Sequence, residues 1–148
     1  MKLKSFIFMF ILTVFGISKA EINWLPLDKA FEIAKKENKL VFVYIYSPSC
    51  HYCDMMDFKV FDSRKVEDML NKQFVPVKLR KCSKEGIEFR KKYGFVGTPM
   101  FYFLEPDGKK IKEIFGAWEE KDFVKILEYF SSGSYKTMDM NEFFMKTN

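Results

Sequence analysis

Histidine occurs once and cysteine three times in 148 residues, so the chain is poor in metal-binding side chains. A structural zinc site needs four ligands. Cys50, Cys53 and Cys82 with His51 make four on paper, but His51 lies between two of the others and no second Cys or His pair follows. That pattern argues for redox thiols over zinc. A c-type haem is excluded, because it needs His directly after the second Cys and Asp54 stands there. The chain also lacks internal repeats and low-complexity stretches. Nor does it have the charge excess of a nucleic-acid binder: of the formal net +5, Lys2, Lys4 and Lys19 supply three, leaving +2 for residues 21–148. No metal and no organic cofactor is expected.

What the chain has in quantity is apolar residues. They make up 48% of it, and 18 are Phe. A chain of this length suits one domain with a packed core. The first twenty residues stand apart. Lys2 and Lys4 precede an apolar run from Phe6 to Ile17, and Ser18-Lys19-Ala20 puts small residues just before Glu21. That is the layout of a secretory signal peptide over residues 1–20. The run is short of the ~20 apolar residues of a spanning helix, although an uncleaved anchor is the competing reading. Export implies a compartment where disulfides persist.

The remaining pattern alternates helices and strands. Asp28 to Asn38 reads as a helix with Leu27, Ala30, Phe31 and Ala34 on its apolar stripe. Leu40 to Tyr46 is a continuous apolar run, as in a strand buried on both faces. Cys50 opens a helical segment to about Lys59, and Asp62 or Ser63 caps the next helix. Phe74 to Arg80 reads as a strand, Lys84 to Tyr93 as a helix and Met100 to Leu104 as a strand. After the Pro106-Asp107-Gly108 turn, Lys110 to Phe115 pairs back as a hairpin, and Glu119 to Phe130 closes as an amphipathic helix. This order predicts an α/β domain over 21–132, with a mixed sheet of about four to five strands between helix layers. Residues 133–148 form a tail. Its Met138, Met140, Phe143, Phe144 and Met145 suit either a short helix packed on the domain or a partner-binding segment.

Cys50-His51-Tyr52-Cys53 carries the chemistry. Two cysteines three apart meet across one helical turn, and a helix N-terminus favours thiolate over thiol. Cys50, at the exposed end, should attack; Cys53, one turn deeper, should resolve the mixed disulfide. His51 either tunes Cys50, since a cationic imidazole lowers a neighbouring thiol's pKa, or faces solvent. Cys82 is either an inert thiol or the site of a regulatory or intermolecular disulfide.

Cys-x-x-Cys after an apolar strand, with Gly97-Thr98-Pro99 some 45 residues later, resembles the thioredoxin superfamily. Lys39-Leu40-Val41, Phe61-Asp62-Ser63 and Glu105-Pro106-Asp107-Gly108 are similar to its exported branch, which includes a periplasmic disulfide interchange reductase. The resemblance implies a three-layer thioredoxin-like fold and a cis proline at Pro99. It also implies substrate contacts through Thr98 and Pro99, to which Tyr52 is added. The expected function is thiol:disulfide exchange in the periplasm, by a monomer, on exported proteins or small thiols. A membrane electron donor or acceptor is the expected partner. The competing class is a non-enzymatic module of this fold that holds a client. Two departures matter. Ser49 and His51-Tyr52 replace the Trp and Gly-Pro of cytoplasmic thioredoxins, and Tyr44 stands where they carry a buried Asp that helps move protons. Tyr is a poor base near neutral pH. Lys78 either lies near Cys53 or points to solvent.

Overall fold

The computed structural model describes residues 21–147; the expected signal peptide, residues 1–20, lies outside them. Among the described residues, six α-helices and four strands follow one another: α1 Leu27–Glu37, β1 Leu40–Tyr46, α2 His51–Met55, α3 Arg64–Gln73, β2 Phe74–Arg80, α4 Lys84–Tyr93, β3 Met100–Leu104, β4 Lys110–Phe115, α5 Glu120–Ser131 and α6 Met140–Lys146. A π-helical turn, Met56–Val60, extends α2, and a 3₁₀ turn, Ser134–Lys136, precedes α6.

The sheet order is β2-β1-β3-β4. β1 runs parallel to β2 and antiparallel to β3, and β3–β4 is the expected hairpin. The parallel pair needs a long crossover, which α2 and α3 supply. β1 is central, so its residues alternate between two buried faces. Val41, Val43 and Ile45 pack with Ala30 and Ala34 of α1 and Phe89 of α4. Phe42 and Tyr44 pack with Cys53, Met56, Leu70, Phe101 and Phe123 under α2, α3 and α5. This is the three-layer thioredoxin-like arrangement expected from the sequence. β2 is an edge strand and tolerates Pro76 there, whose carbonyl accepts the Leu25 N–H at 2.9 Å.

Local chemistry sets the boundaries. α1 ends one residue earlier than its pattern suggested, because Asn38 adopts the left-handed conformation (φ 52°) and its N–H closes on Ala34 O. In the hairpin turn, Asp107 Oδ1 accepts the Lys109 N–H at 2.9 Å, and Gly108 takes φ 89°. Ser63 does precede α3, but its hydroxyl binds the Glu120 carboxylate at 2.5 Å instead of capping the helix. The segment after Cys50 is not one helix. Past Met55 the hydrogen bonding widens, so that Phe61 N–H reaches Met56 O at 2.8 Å. The tail lies against α5: the Tyr129 hydroxyl donates to Met138 O at 2.8 Å, and the Phe143 ring lies 5.3 Å from that of Tyr129. Among the described residues, no helix is long and apolar enough to cross a membrane.

Candidate active site

β1 delivers the chain to Ser47-Pro48-Ser49, which breaks the strand at its C-terminal end. Cys50 follows in an extended conformation as the N-cap of α2. Its Sγ accepts the Cys53 N–H at 3.2 Å. That bond uses a donor the first helical turn would otherwise leave unpaired, and it favours negative charge on sulfur. Cys50 and Cys53 form a disulfide, with Cα atoms 5.2 Å apart. The two sulfurs differ in access. Cys53 is 1% exposed, whereas Cys50 is half-buried at the rim.

The loop before β3 closes over Cys50. The Thr98–Pro99 bond is cis, and Thr98 O lies 3.5 Å from Cys50 Sγ. Gly97 makes room for this loop: a Cβ there would come within 2.7 Å of the Phe115 ring. Sequence separation of 48 residues thus becomes contact because β1 and β3 are paired neighbours.

The remaining candidates lie around this pair. His51 and Tyr52 are both exposed, their rings 5.8 Å apart. Tyr52, 60% exposed, borders a cavity of about 420 Å³ shared with Met55, Val60 and Trp118. Phe115 and Val96 add exposed apolar surface on the Thr98–Pro99 side. Cys82 is exposed and unpaired in the turn between β2 and α4.

Beneath the disulfide sits a polar group that the sequence only half disclosed. Tyr44 is fully buried and its hydroxyl donates to Cys53 O at 3.4 Å. Burial pushes its pKa well up, and the negative charges of Asp57 and Asp54 push the same way, so Tyr44 remains a neutral donor. Lys78 neither reaches bulk solvent freely nor stands alone. Its Nζ pairs with Asp57 Oδ1 at 2.9 Å and lies 4.8 Å from the Tyr46 ring centroid and 5.3 Å from that of Tyr44. Asp57 belongs to no motif of the sequence. Its signal there is spacing alone, an acid four residues after the second cysteine, in the segment where the helix widens.

A half-exposed cysteine at a helix N-terminus, a buried partner one turn on and a cis-proline loop opposite define a thioredoxin-fold protein with a redox-active Cys-x-x-Cys disulfide. The chain matches the model of the thioredoxin-like domain family over residues 27–131 and belongs to that family. It is similar to an uncharacterized protein of Caenorhabditis elegans, 32% identical over 95 residues, which are 58% of this chain and 13% of the relative. The chain therefore spans a small part of that curated relative. Among solved structures it is similar to a thioredoxin from Thermus thermophilus, with 29% identity and a TM-score of 0.68, covering 74% of this chain and 87% of that one. It is equally similar in sequence to a putative disulphide-isomerase from Bacteroides thetaiotaomicron, 29% identical with a TM-score of 0.65, covering 76% and 94%. Fold and cysteine pair together support thiol:disulfide redox activity.

Proposed function

We propose that the chain is an exported thiol:disulfide oxidoreductase, acting in the periplasm as a monomer once residues 1–20 are removed. Its substrates are exported proteins or small thiols, and a membrane donor or acceptor resets its cysteines. The observation that carries this reading is the contrast between the two sulfurs. Cys50 is reachable and lies against Thr98 O, while Cys53 is shielded directly behind it.

In the exchange, the Cys50 thiolate attacks a client disulfide and releases one client thiolate. Cys53 then attacks Cys50 Sγ in the mixed disulfide, frees the second client sulfur and closes the Cys50–Cys53 bond. The reverse sequence oxidises a client dithiol. Thr98 offers backbone hydrogen bonds to an extended client beside Pro99. Tyr52, with exposed Val96 and Phe115, gives the client's apolar side chains a rim to lie on. His51 sits on the solvent side of Cys50 and tunes it by its charge.

Insulin reduction tests the reading. The wild type should accelerate it and Cys50→Ser should lose the activity, whereas a wild type inactive with every reductant and oxidant would overturn it. The potential of the Cys50–Cys53 pair in glutathione buffers gives the direction. A value near ~−270 mV marks a reductant and one near ~−120 mV an oxidant.

A further inference from the structure

Charge is unevenly placed at the active-site end of the sheet. β2 ends at Arg80, the register partner of Tyr46 at the end of β1. The turn that follows, Arg80-Lys81-Cys82-Ser83-Lys84, holds three cations and no acid. It is tied to β1, because the Lys81 N–H donates to Tyr46 O at 2.9 Å. Cys50 comes four residues after Tyr46, at most about 14 Å of extended chain away. Arg90 adds a fourth cation. Its Nε donates to Lys81 O at 3.0 Å, and its guanidinium lies 4.6 Å from the ring centroid of Phe95, on the loop that leads to Thr98 and Pro99. From Arg80 to Lys92 there are six cations and two acids, a net +4, against +2 for residues 21–148 as a whole.

Stability gives no reason for this cluster. Among the described residues Arg80, Lys81 and Lys84 have no acid partner, whereas Lys39, Lys72, Lys78 and Lys110 each have one. Lys84 also opens α4, and the first turn of a helix favours acids over cations. Arg80 and Lys84 are exposed. Across Cys50 the sign changes. Asp54 is exposed on α2. Glu119 and Glu120 follow β4, at the opposite edge of the sheet from β2, and share a cavity with Tyr52 in which Lys59 is the single cation. A segment lying over Cys50 therefore meets cations on its β2 side and mostly acids on the other.

We propose that the Arg80–Lys84 turn selects clients whose reacting cysteines are flanked by Asp and Glu, and draws their acidic side toward β2. This rests on the exchange reading above and names its substrate class, an acidic peptide segment. A client lying along Thr98 and Pro99 brings its sulfur to Cys50. Client residues three or four positions away are then about 10–14 Å off, within reach of the turn. The cations attract these carboxylates and raise the rate of productive encounter, leaving the intrinsic reactivity of the sulfurs as it is.

Two synthetic peptides test this. Each closes one disulfide, flanked by Asp in one peptide and by Lys in the other. Cys82 is first replaced by Ser, so that Cys50 and Cys53 supply the only thiols. The rate at which the reduced protein opens each peptide is divided by the rate with dithiothreitol, which reports the peptide's own reactivity. The Asp-to-Lys ratio of these quotients is the selectivity. At 0.1 M salt the Debye length is about 10 Å, and Arg80→Glu with Lys84→Glu should lower the selectivity on the order of 10-fold. Lys84→Glu puts an acid where α4 favours one, which helps the variant fold. If it does not fold, Arg80→Gln with Lys84→Gln carries the test, with a fall of about 3-fold expected. Lys35→Glu with Lys36→Glu changes net charge as much as the first variant does. Those lysines end α1 near the start of β1, a strand about 20 Å long, and should leave the selectivity within about 2-fold. At about 1 M salt, where the Debye length is ~3 Å, the turn variant and its parent should converge. An unchanged selectivity in the turn variant, an equal fall in both charge-reversed variants, or a difference that persists at high salt overturns the proposal. A reduced parent protein that opens neither peptide, while dithiothreitol opens both, would instead refute the exchange reading.

Discussion

The two faces of the sheet are built from different side chains. The face under α1 and α4 is mostly aliphatic, with Val41, Val43, Ile45, Val75, Val77 and Leu79 all buried. The face under α2, α3 and α5 is mostly aromatic, and Phe42 at its centre has ring neighbours in Phe61, Phe74, Phe101, Phe103 and Phe123. Their buried hydroxyls are used differently too. On the aliphatic face Tyr93 donates to Gly108 O and Tyr102 to Gly94 O, so both tie down loops. On the aromatic face Tyr129 likewise ties down the tail through Met138 O, but Tyr44 donates to Cys53 O beneath the disulfide. Both faces secure the scaffold, and the aromatic one also couples its core to the site.

Core truncations should separate the faces most strongly. Phe42→Ala removes a fully buried ring with many aromatic partners and should cost about 3–5 kcal/mol in denaturant unfolding. Its neighbour Val43→Ala, equally buried on the other face, removes two methyl groups and should cost about 2 kcal/mol. Equal costs would mean that the aromatic face closes around the lost ring and recovers most of its packing.

Alkaline pH probes the next level. Burial, aided by Glu113, pushes the Tyr102 pKa up to about 12. Between pH 10 and 12 the unfolded chain gives up this proton while the folded chain keeps it. The native state's advantage is thus complete below pH 10 and is lost as pH rises toward 12, by up to ~1.4 kcal/mol per pH unit for such a group. Tyr102→Phe should flatten that part of a stability-against-pH curve, and an unaltered slope would remove Tyr102 as its source.

Hydroxyl deletions then compare function directly. Tyr102→Phe and Tyr44→Phe should each cost about 1 kcal/mol, the net worth of one hydrogen bond. Only Tyr44→Phe should also change the rate at which Cys53 resolves a mixed disulfide. Matching kinetics in the two variants would erase the functional distinction between the faces.

These differences show what could be read from the sequence. All four strands fall where their patterns put them, because a run such as Leu40 to Tyr46 has few alternatives to a doubly buried strand. The cysteine pair and Thr98-Pro99 were legible as motifs. The widening at Met56–Val60 was not, since an added residue in a helical turn leaves no periodic mark. The Asp57–Lys78 pair was hidden for another reason. Its members are 21 residues apart, and only the crossover from β1 to β2 brings the Met56–Val60 turn over Lys78. Tyr44 was visible as a departure from the family, but its use as a donor to Cys53 depends on the packed site.

The smallest stability effect is expected at the rim, where the aromatic face meets solvent. Gly97→Ala drives a Cβ against the edge of Phe115, the far end of a side chain that is 55% exposed and free to swing outward. The unfolded chain loses some freedom in the same substitution, which works in the opposite direction. Stability should therefore change by less than about 0.5 kcal/mol. Exchange with a protein client should weaken nonetheless, because the displaced ring belongs to the surface beside Thr98 and Pro99. Exchange with a small disulfide, which needs only Cys50, should be preserved. If both substrates slow together, Phe115 shapes the cis-proline loop itself and is not merely a surface for the client.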